Sequence, residues 1–306
     1  MERRSSHARF PWLAFAALVL GNALLALGPW AVREADSGSV SAGFWRLALA
    51  LPLLLLIARI SGERLSAIPR RSILWVALAG VFFALDLSSW HVGIEFTRLG
   101  NATLFGNSGS LVLMVWGFFL LRRWPRIREA AALLFAAGGI AILLGRSLDV
   151  SAATLGGDML CMLAGLLYAF YLIILQRARS NIGPWGILLI ASIAGLPVTA
   201  GIAALRGEPF WPQDWTPVIA LALSSQVIGQ GLLVYSLGYF RPLVIGLALL
   251  TQTAVAVLAG WVVFGETLGL QDSLGMVLLA VALVLARAEQ GEKPAIPPAD
   301  RSLQEA

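Results

Sequence analysis

Charge is scarce in this sequence: Asp, Glu, Lys and Arg make up only 13% of its 306 residues, roughly half the share of an ordinary soluble domain. So few charges cannot clothe a water-soluble fold of this length. Cys161 is the single cysteine, which excludes an internal disulfide. The two histidines, His7 and His91, have no companions at metal-ligand spacing, so neither a metal centre nor a cofactor is expected. Lys293 is the one lysine against 21 arginines, a bias compatible with a GC-rich bacterial source. The patterns GxxxxGK[ST], HExxH and GxSxG are all missing. No phosphate loop, zinc protease motif or serine nucleophile is therefore present, and no residue is assigned a catalytic role.

Apolar residues fill the space that charge leaves, at 58% of the chain with a mean hydropathy of +0.82. They gather into ten stretches, each close to the roughly 20 residues that cross hydrocarbon as a helix: 11–31, 41–60, 73–94, 99–121, 129–145, 157–177, 184–204, 217–238, 242–264 and 270–287. Arg3 and Arg4 ahead of the first stretch resemble a secretory leader, but the run is long and nine more follow. The formal charge of +5 does not point to nucleic acid, because the basic residues are scattered among short connections. With a cytoplasmic N-terminus, seventeen of the 22 Lys and Arg residues fall inside, four outside, and Arg46 within a span. That asymmetry puts both termini in the cytoplasm.

The stretches form two sets of five. A shift of 143 residues carries the fourth and fifth onto the ninth and tenth without a gap, placing Ser108 on Thr251, Ser110 on Thr253, Gly117 on Gly260 and Ala137 on Ala280. An odd number of crossings per repeat sets the two halves in opposite orientations. The expected fold is thus an all-α integral membrane protein, ten transmembrane helices arranged as two inverted five-helix repeats. Residues 11–145 and 157–287 form the repeats, 146–156 the linker, and 1–10 and 288–306 the cytoplasmic tails. The last tail is polar and proline-bearing and is expected to be disordered.

Phe44-Trp45-Arg46, the run from Asp86 to Ser110, the passage from Gly157 to Ala178, Ser225 to Gly238, and Phe264-Gly265-Glu266 resemble the EamA-like carriers of the drug/metabolite transporter superfamily. The resemblance spans about Pro11 to Arg287. It implies a secondary carrier that exports amino acids or related small metabolites; with no nucleotide motor in the sequence, uphill transport needs an ion gradient or exchange, and the arginine-rich composition sets the expected location in a bacterial inner membrane. Two features depart from the family: Ser110 and Thr253 stand where proline is common, and Arg123 where the second half has Glu266. Hydroxyls perturb a helix less than proline does, so gating by kinks at those positions is in question.

Asp86 is the foremost candidate for function, because a charge near the centre of a span costs about 3 kcal/mol. It reads as a protonatable group facing a cavity, or as a hydrogen-bonded packing anchor. Trp90 follows one turn later on the same face; His91 points about 140° away on an ideal helix. His91 is either a proton relay or a neutral interfacial residue, and Trp90 either a ligand wall or an interface anchor. Asn101, Asn107, Ser108 and Ser110 in the fourth span, with Gln226 and Gln230 in the eighth, offer donors and acceptors to a polar metabolite. The same groups also join helices. Tyr168 and Tyr171 in the sixth span offer rings and hydroxyls, to a ligand or to the core. Arg46, near the outer end of the second span, either binds an anionic group or, as the favoured expectation, snorkels to the headgroups or pairs with an acidic loop, and Glu266 is expected to sit in an outer turn. The competing functions are a membrane scaffold and an intramembrane enzyme using Asp86, His91 and Glu95, whose helical phases diverge.

The topology is open to direct test. Single cysteines in the connections should react with an impermeant reagent from outside only near residues 34–39, 95–98, 147–155, 207–214 and 266–270; labelling near 122–128 would reject the orientation.

Overall fold

In the computed structural model, every regular element among the described residues, 11–97, 102, 105–121, 124–145, 153–264 and 269–288, is helical. Hydrocarbon offers no water to the backbone, so apolar runs satisfy their N–H and C=O groups within each segment. In chain order the helices are α1 (Trp12–Ala26), α2 (Gly28–Glu34), α3 (Ser39–Ile60), α4 (Arg70–Phe96), α5 (Ser108–Leu121) and α6 (Ile127–Gly145). They continue with α7 (Leu155–Ala178), α8 (Pro184–Arg206), α9 (Thr216–Leu221), a π-helical stretch Ala222–Gln230, α10 (Gly231–Leu237), α11 (Pro242–Phe264) and α12 (Leu270–Ala288). Among the described residues six stretches are long and apolar enough to cross a membrane: Trp12–Glu34, Ser39–Ile60, Arg70–Phe96, Leu155–Ala178, Pro184–Arg206 and Thr216–Leu237. Shorter apolar stretches lie in α5, α11 and α12.

The fourth, fifth, ninth and tenth expected spans are not among these six, and two of those that are carry local departures. The first breaks at Leu27, where Pro29 opens α2 as an early helical residue. The eighth has i→i+5 hydrogen bonding through its middle, a register found chiefly as local insertions. Asn101, Arg98, Arg123 and Glu266 lie outside the described residues.

Helices α3 and α8 end alike. Gly62 and Gly207 adopt φ of 72° and 63°, the left-handed region that glycine enters without penalty. The Glu63 and Glu208 amides then reach back to the carbonyls of Ala58 and Ala203, both at 3.0–3.1 Å, and the glycine amides to those of Arg59 and Ala204. Each glutamate next caps the opposite helix. Glu208 Oε2 accepts from the Val40 and Ser41 amides at 3.0 Å, at the start of α3. Glu63 accepts from the Trp185 and Gly186 amides at 3.1 and 2.7 Å, at the start of α8. The start of each helix therefore lies beside the end of the other, so α3 and α8 run antiparallel with a carboxylate clasp at both ends. Each clasp satisfies two orphan helix donors and sets a negative charge at a positive dipole end. Beside Glu208, Trp45 donates to the Phe210 carbonyl at 2.7 Å and packs among Phe44, Phe210, Trp211 and Trp215.

The remaining contacts follow the same exchange of halves. α4 packs on α7 and α8, while the π stretch packs on α1 and α3; α5 meets α7, while α11 meets α1; α5 pairs with α11, and α6 with α12. The shift of 143 residues carries Ile127–Gly145 onto Leu270–Ala288, the full extents of α6 and α12. Outward faces hold apolar side chains such as Leu13, Leu74, Phe119 and Leu134, each at least 70% exposed, a surface suited to lipid rather than water.

Small residues bring the helix backbones together. A Cβ on Gly80 would fall on the Ala191 carbonyl of α8, and one on Gly109 on the Gly165 carbonyl of α7. Gly80→Ala should therefore lower stability by about 1–3 kcal/mol, seen as a reduced thermal midpoint in detergent. Gly201→Ala, inside α8 where no atom lies within 4 Å, should not lower that midpoint and should raise it slightly, because alanine favours the helix over glycine.

Candidate functional site

The contacts just described leave a cavity of about 170 Å³ between the two halves, bordered by α1, α3, α4, α5, α7, the π stretch and α11. A single water needs about 10–15 Å³ on this measure, so the space suits a small solute rather than one bare ion. Its wall is mixed: Phe83, Leu87 and Leu249 are apolar, while Arg46, Asp86, Asn107, Ser110, Gln230 and Gln252 present polar groups.

Asp86, Trp90 and His91 all reach this cavity from α4. The sequence-based phase difference between Asp86 and His91 holds, but the cavity wraps far enough round the helix to meet both. The Asp86 carboxylate opens on the cavity without a hydrogen bond from any described residue. His91 is buried, and its Nδ1 lies 2.7 Å from the Ser39 carbonyl. A carbonyl only accepts, so Nδ1 carries a proton. His91 also borders a second cavity, with Ser37, Ser39 and Glu95, at the α3 start. Trp90 stands against Gly106 on the central cavity.

The polar residues of the other helices divide into wall and support. Asn107 and Ser110, at the start of α5, line the cavity, and Asn107 Nδ2 donates to Thr253 Oγ1 at 2.9 Å. Gln230 lines it and donates to the Tyr168 hydroxyl at 3.2 Å, while its oxygen accepts from Tyr171 at 3.4 Å. Tyr168 is on the wall. Tyr171 stands behind it, fully buried and stacked on Phe83 at 4.6 Å. Gln226 is likewise set back, accepting from Arg46 Nε at 3.0 Å and donating to Ser192 Oγ at 3.0 Å.

Of the roles the sequence leaves open for Arg46, the side chain takes neither of the favoured two: it does not snorkel or pair with an acidic loop. The side chain turns inward, is 6% exposed, and lays its guanidinium over the Phe83 ring at 5.6 Å. The acidic group that the loop does supply, Glu208, caps backbone amides instead, and Arg206 takes its other oxygen at 2.7 Å. Glu95 lies apart from the central cavity, where it accepts from Ser39 Oγ and pairs with Arg206 at 2.8 Å.

Sequence reasoning also passed over Asn22 and Gln252, which bond to each other at 2.8 Å between α1 and α11. Both were visible as lone amides inside apolar runs, the same signal that singled out Gln226 and Gln230. Among the described residues no group of three or more His, Cys, Asp or Glu is placed to hold a metal ion.

Comparison with known proteins gives a consistent picture. A model described as the EamA-like transporter family matches residues 12–145 and again 155–288. The threonine/homoserine exporter RhtA of Escherichia coli (strain K12) is 27% identical over 281 residues, 90% of each chain. Its counterpart in Salmonella typhimurium (strain SL1344) is 25% identical over 283 residues, again 90% of each. The uncharacterized transporter YcxC of Bacillus subtilis (strain 168) is 22% identical over 219 residues, 68% of this chain and 70% of that one. A crystal structure at 17% identity has a TM-score of 0.72 over 92% of this chain and 98% of the other, a likeness of fold alone.

Proposed function

Because this chain belongs to the EamA-like transporter family, we propose that it is a secondary carrier exporting amino acids or related small metabolites by alternating access. The observation that carries this reading is a cavity of mixed lining, with one cationic and one anionic side chain, set between apolar helices of membrane length. The exporters named above, similar along nearly their whole length, supply the substrate class and the bacterial inner membrane.

The proposed architecture is ten spans in two inverted repeats, residues 11–145 and 157–287, with both termini cytoplasmic. Support for the inversion comes from the antiparallel α3 and α8, which carry the same Gly-Glu ending and a proline at Pro52 and Pro197. On this reading the Glu63 clasp closes the cytoplasmic end of the α3–α8 pair and the Glu208 clasp its outer end. Access alternates when one clasp parts while the other holds. Asn107, Ser110, Tyr168, Gln230 and Trp90 contact the solute, and Tyr171 and Gln226 hold the wall behind them. Asn101 belongs to the same proposed set by sequence.

Asp86 is the proposed coupling group, since its carboxyl crosses the membrane interior at lower cost when neutral. The other charged or titratable side chains on the cavity wall are Arg46 of α3, His91 of α4 and Tyr168 of α7. One charge moving through about 100 mV contributes roughly 2.3 kcal/mol, enough to sustain about a 50-fold concentration ratio. Asp86→Asn keeps size and hydrogen-bonding capacity but cannot titrate. In proteoliposomes of matched protein density the variant should retain solute exchange and lose accumulation driven by an imposed pH gradient. Unimpaired pH-driven accumulation would remove Asp86 from the coupling role.

A further inference from the structure

We infer that Arg46 is the anchor for a solute carboxylate, so that the carrier selects carboxylate-bearing amino acids over their esters and amino alcohols. The inference rests on the proposed export function and names the feature of the solute that the site reads. Three observations lead to it. First, Arg46 lies on the cavity wall. Second, the side chain is held in place: Nε donates to Gln226, which Ser192 fixes in turn, and Phe83 lies under the guanidinium plane, itself stacked on Tyr171. Third, the hold uses only Nε. The terminal nitrogens form no hydrogen bond or ion pair with any described residue, and neither is a fully buried, unpartnered atom. They therefore face the cavity.

A guanidinium edge with two adjacent free N–H groups matches the two oxygens of a carboxylate, and the fixed Nε removes the entropy of placing it. The wall also bears the opposite charge at Asp86. A zwitterion with its carboxylate on Arg46 and its ammonium toward Asp86 leaves no net charge buried, whereas a cationic ester or amino alcohol meets Arg46 with no anion to offer. Specificity of this kind comes as much from the penalty on the wrong ligand as from contact with the right one. The hydroxyls and amides of Ser110, Asn107 and Gln252 are left for the amino-acid side chain.

Purified protein in proteoliposomes would be screened by counterflow with labelled L-threonine, L-homoserine and the remaining proteinogenic amino acids. For the best-exchanged one, its methyl ester and amino alcohol would then compete for binding in detergent. Wild type should bind the acid roughly tenfold or more tighter than either analogue, the scale of a charge-assisted hydrogen bond. Arg46→Gln should bring acid affinity down to that of the ester while leaving ester affinity within about twofold, and Arg46→Lys should restore part of the difference. Equal competition by acid and ester in wild type overturns the inference and leaves the export reading standing, without requiring any variant to fold. Equal weakening of acid and ester by Arg46→Gln also overturns it, since a purely structural pin would act on both. Exchange of no amino acid by wild type overturns the export reading, and this inference with it.

Discussion

Two carboxylates, Glu63 and Glu208, set the geometry on which the rest of the molecule depends. A membrane helix that begins near the interface exposes amides with no partner along their own chain. Here each of α3 and α8 receives its missing acceptor from the residue that follows the other helix. The exchange is possible only for antiparallel neighbours of equal length, and these helices have 22 and 23 residues. With that pair fixed, α4 packs into its side through Gly80, and the π stretch into the opposite side.

The polar interior follows from this frame. Arg46 is an early residue of α3 and must meet an acceptor once the helix is pinned, because an unpaired guanidinium in a dry core is costly. Gln226 meets that need from a stretch whose i→i+5 register widens the turn. One residue group of that stretch, around Gln226, faces Arg46 and Ser192, while Gln230 faces the tyrosines and the cavity. Phe83 joins the two sides, carrying Arg46 on its ring and Tyr171 alongside. Polar side chains that have partners thus build the wall, and those that keep free valences, Asp86 and the outer edge of Arg46, give it a chemical sense.

Much of this was legible in the sequence for a plain reason: hydrocarbon demands long apolar runs, so every polar residue inside one stands out. Asp86, Asn107, Ser110, Tyr168 and Gln230 were found that way and do border one cavity. For Arg46 the sequence leaves snorkelling and anion binding both open, because its distance from the span end allows either and no local signal reveals Gln226, 180 residues away, beside it. For Tyr171 and Gln226 the sequence leaves wall and packing roles both open, because helical spacing gives a face but not a depth. The π register was hidden, since a 4-residue spacing looks the same in either helix type. The Gly62-Glu63 and Gly207-Glu208 pairs lie 145 residues apart, so the shift of 143 that carries the fourth and fifth spans onto the ninth and tenth does not bring them into register.

The central claim is that the cavity between the halves is the place where solute binds. A cysteine at Asn107 tests it most directly, because Cys161 is buried and adds little background. The rate at which a small thiol reagent modifies Asn107→Cys in reconstituted protein should fall when an exchanged amino acid is added, while lipid-facing Phe119→Cys should show no such protection. Modification of Asn107→Cys at the same rate with and without every exchanged amino acid would contradict the account.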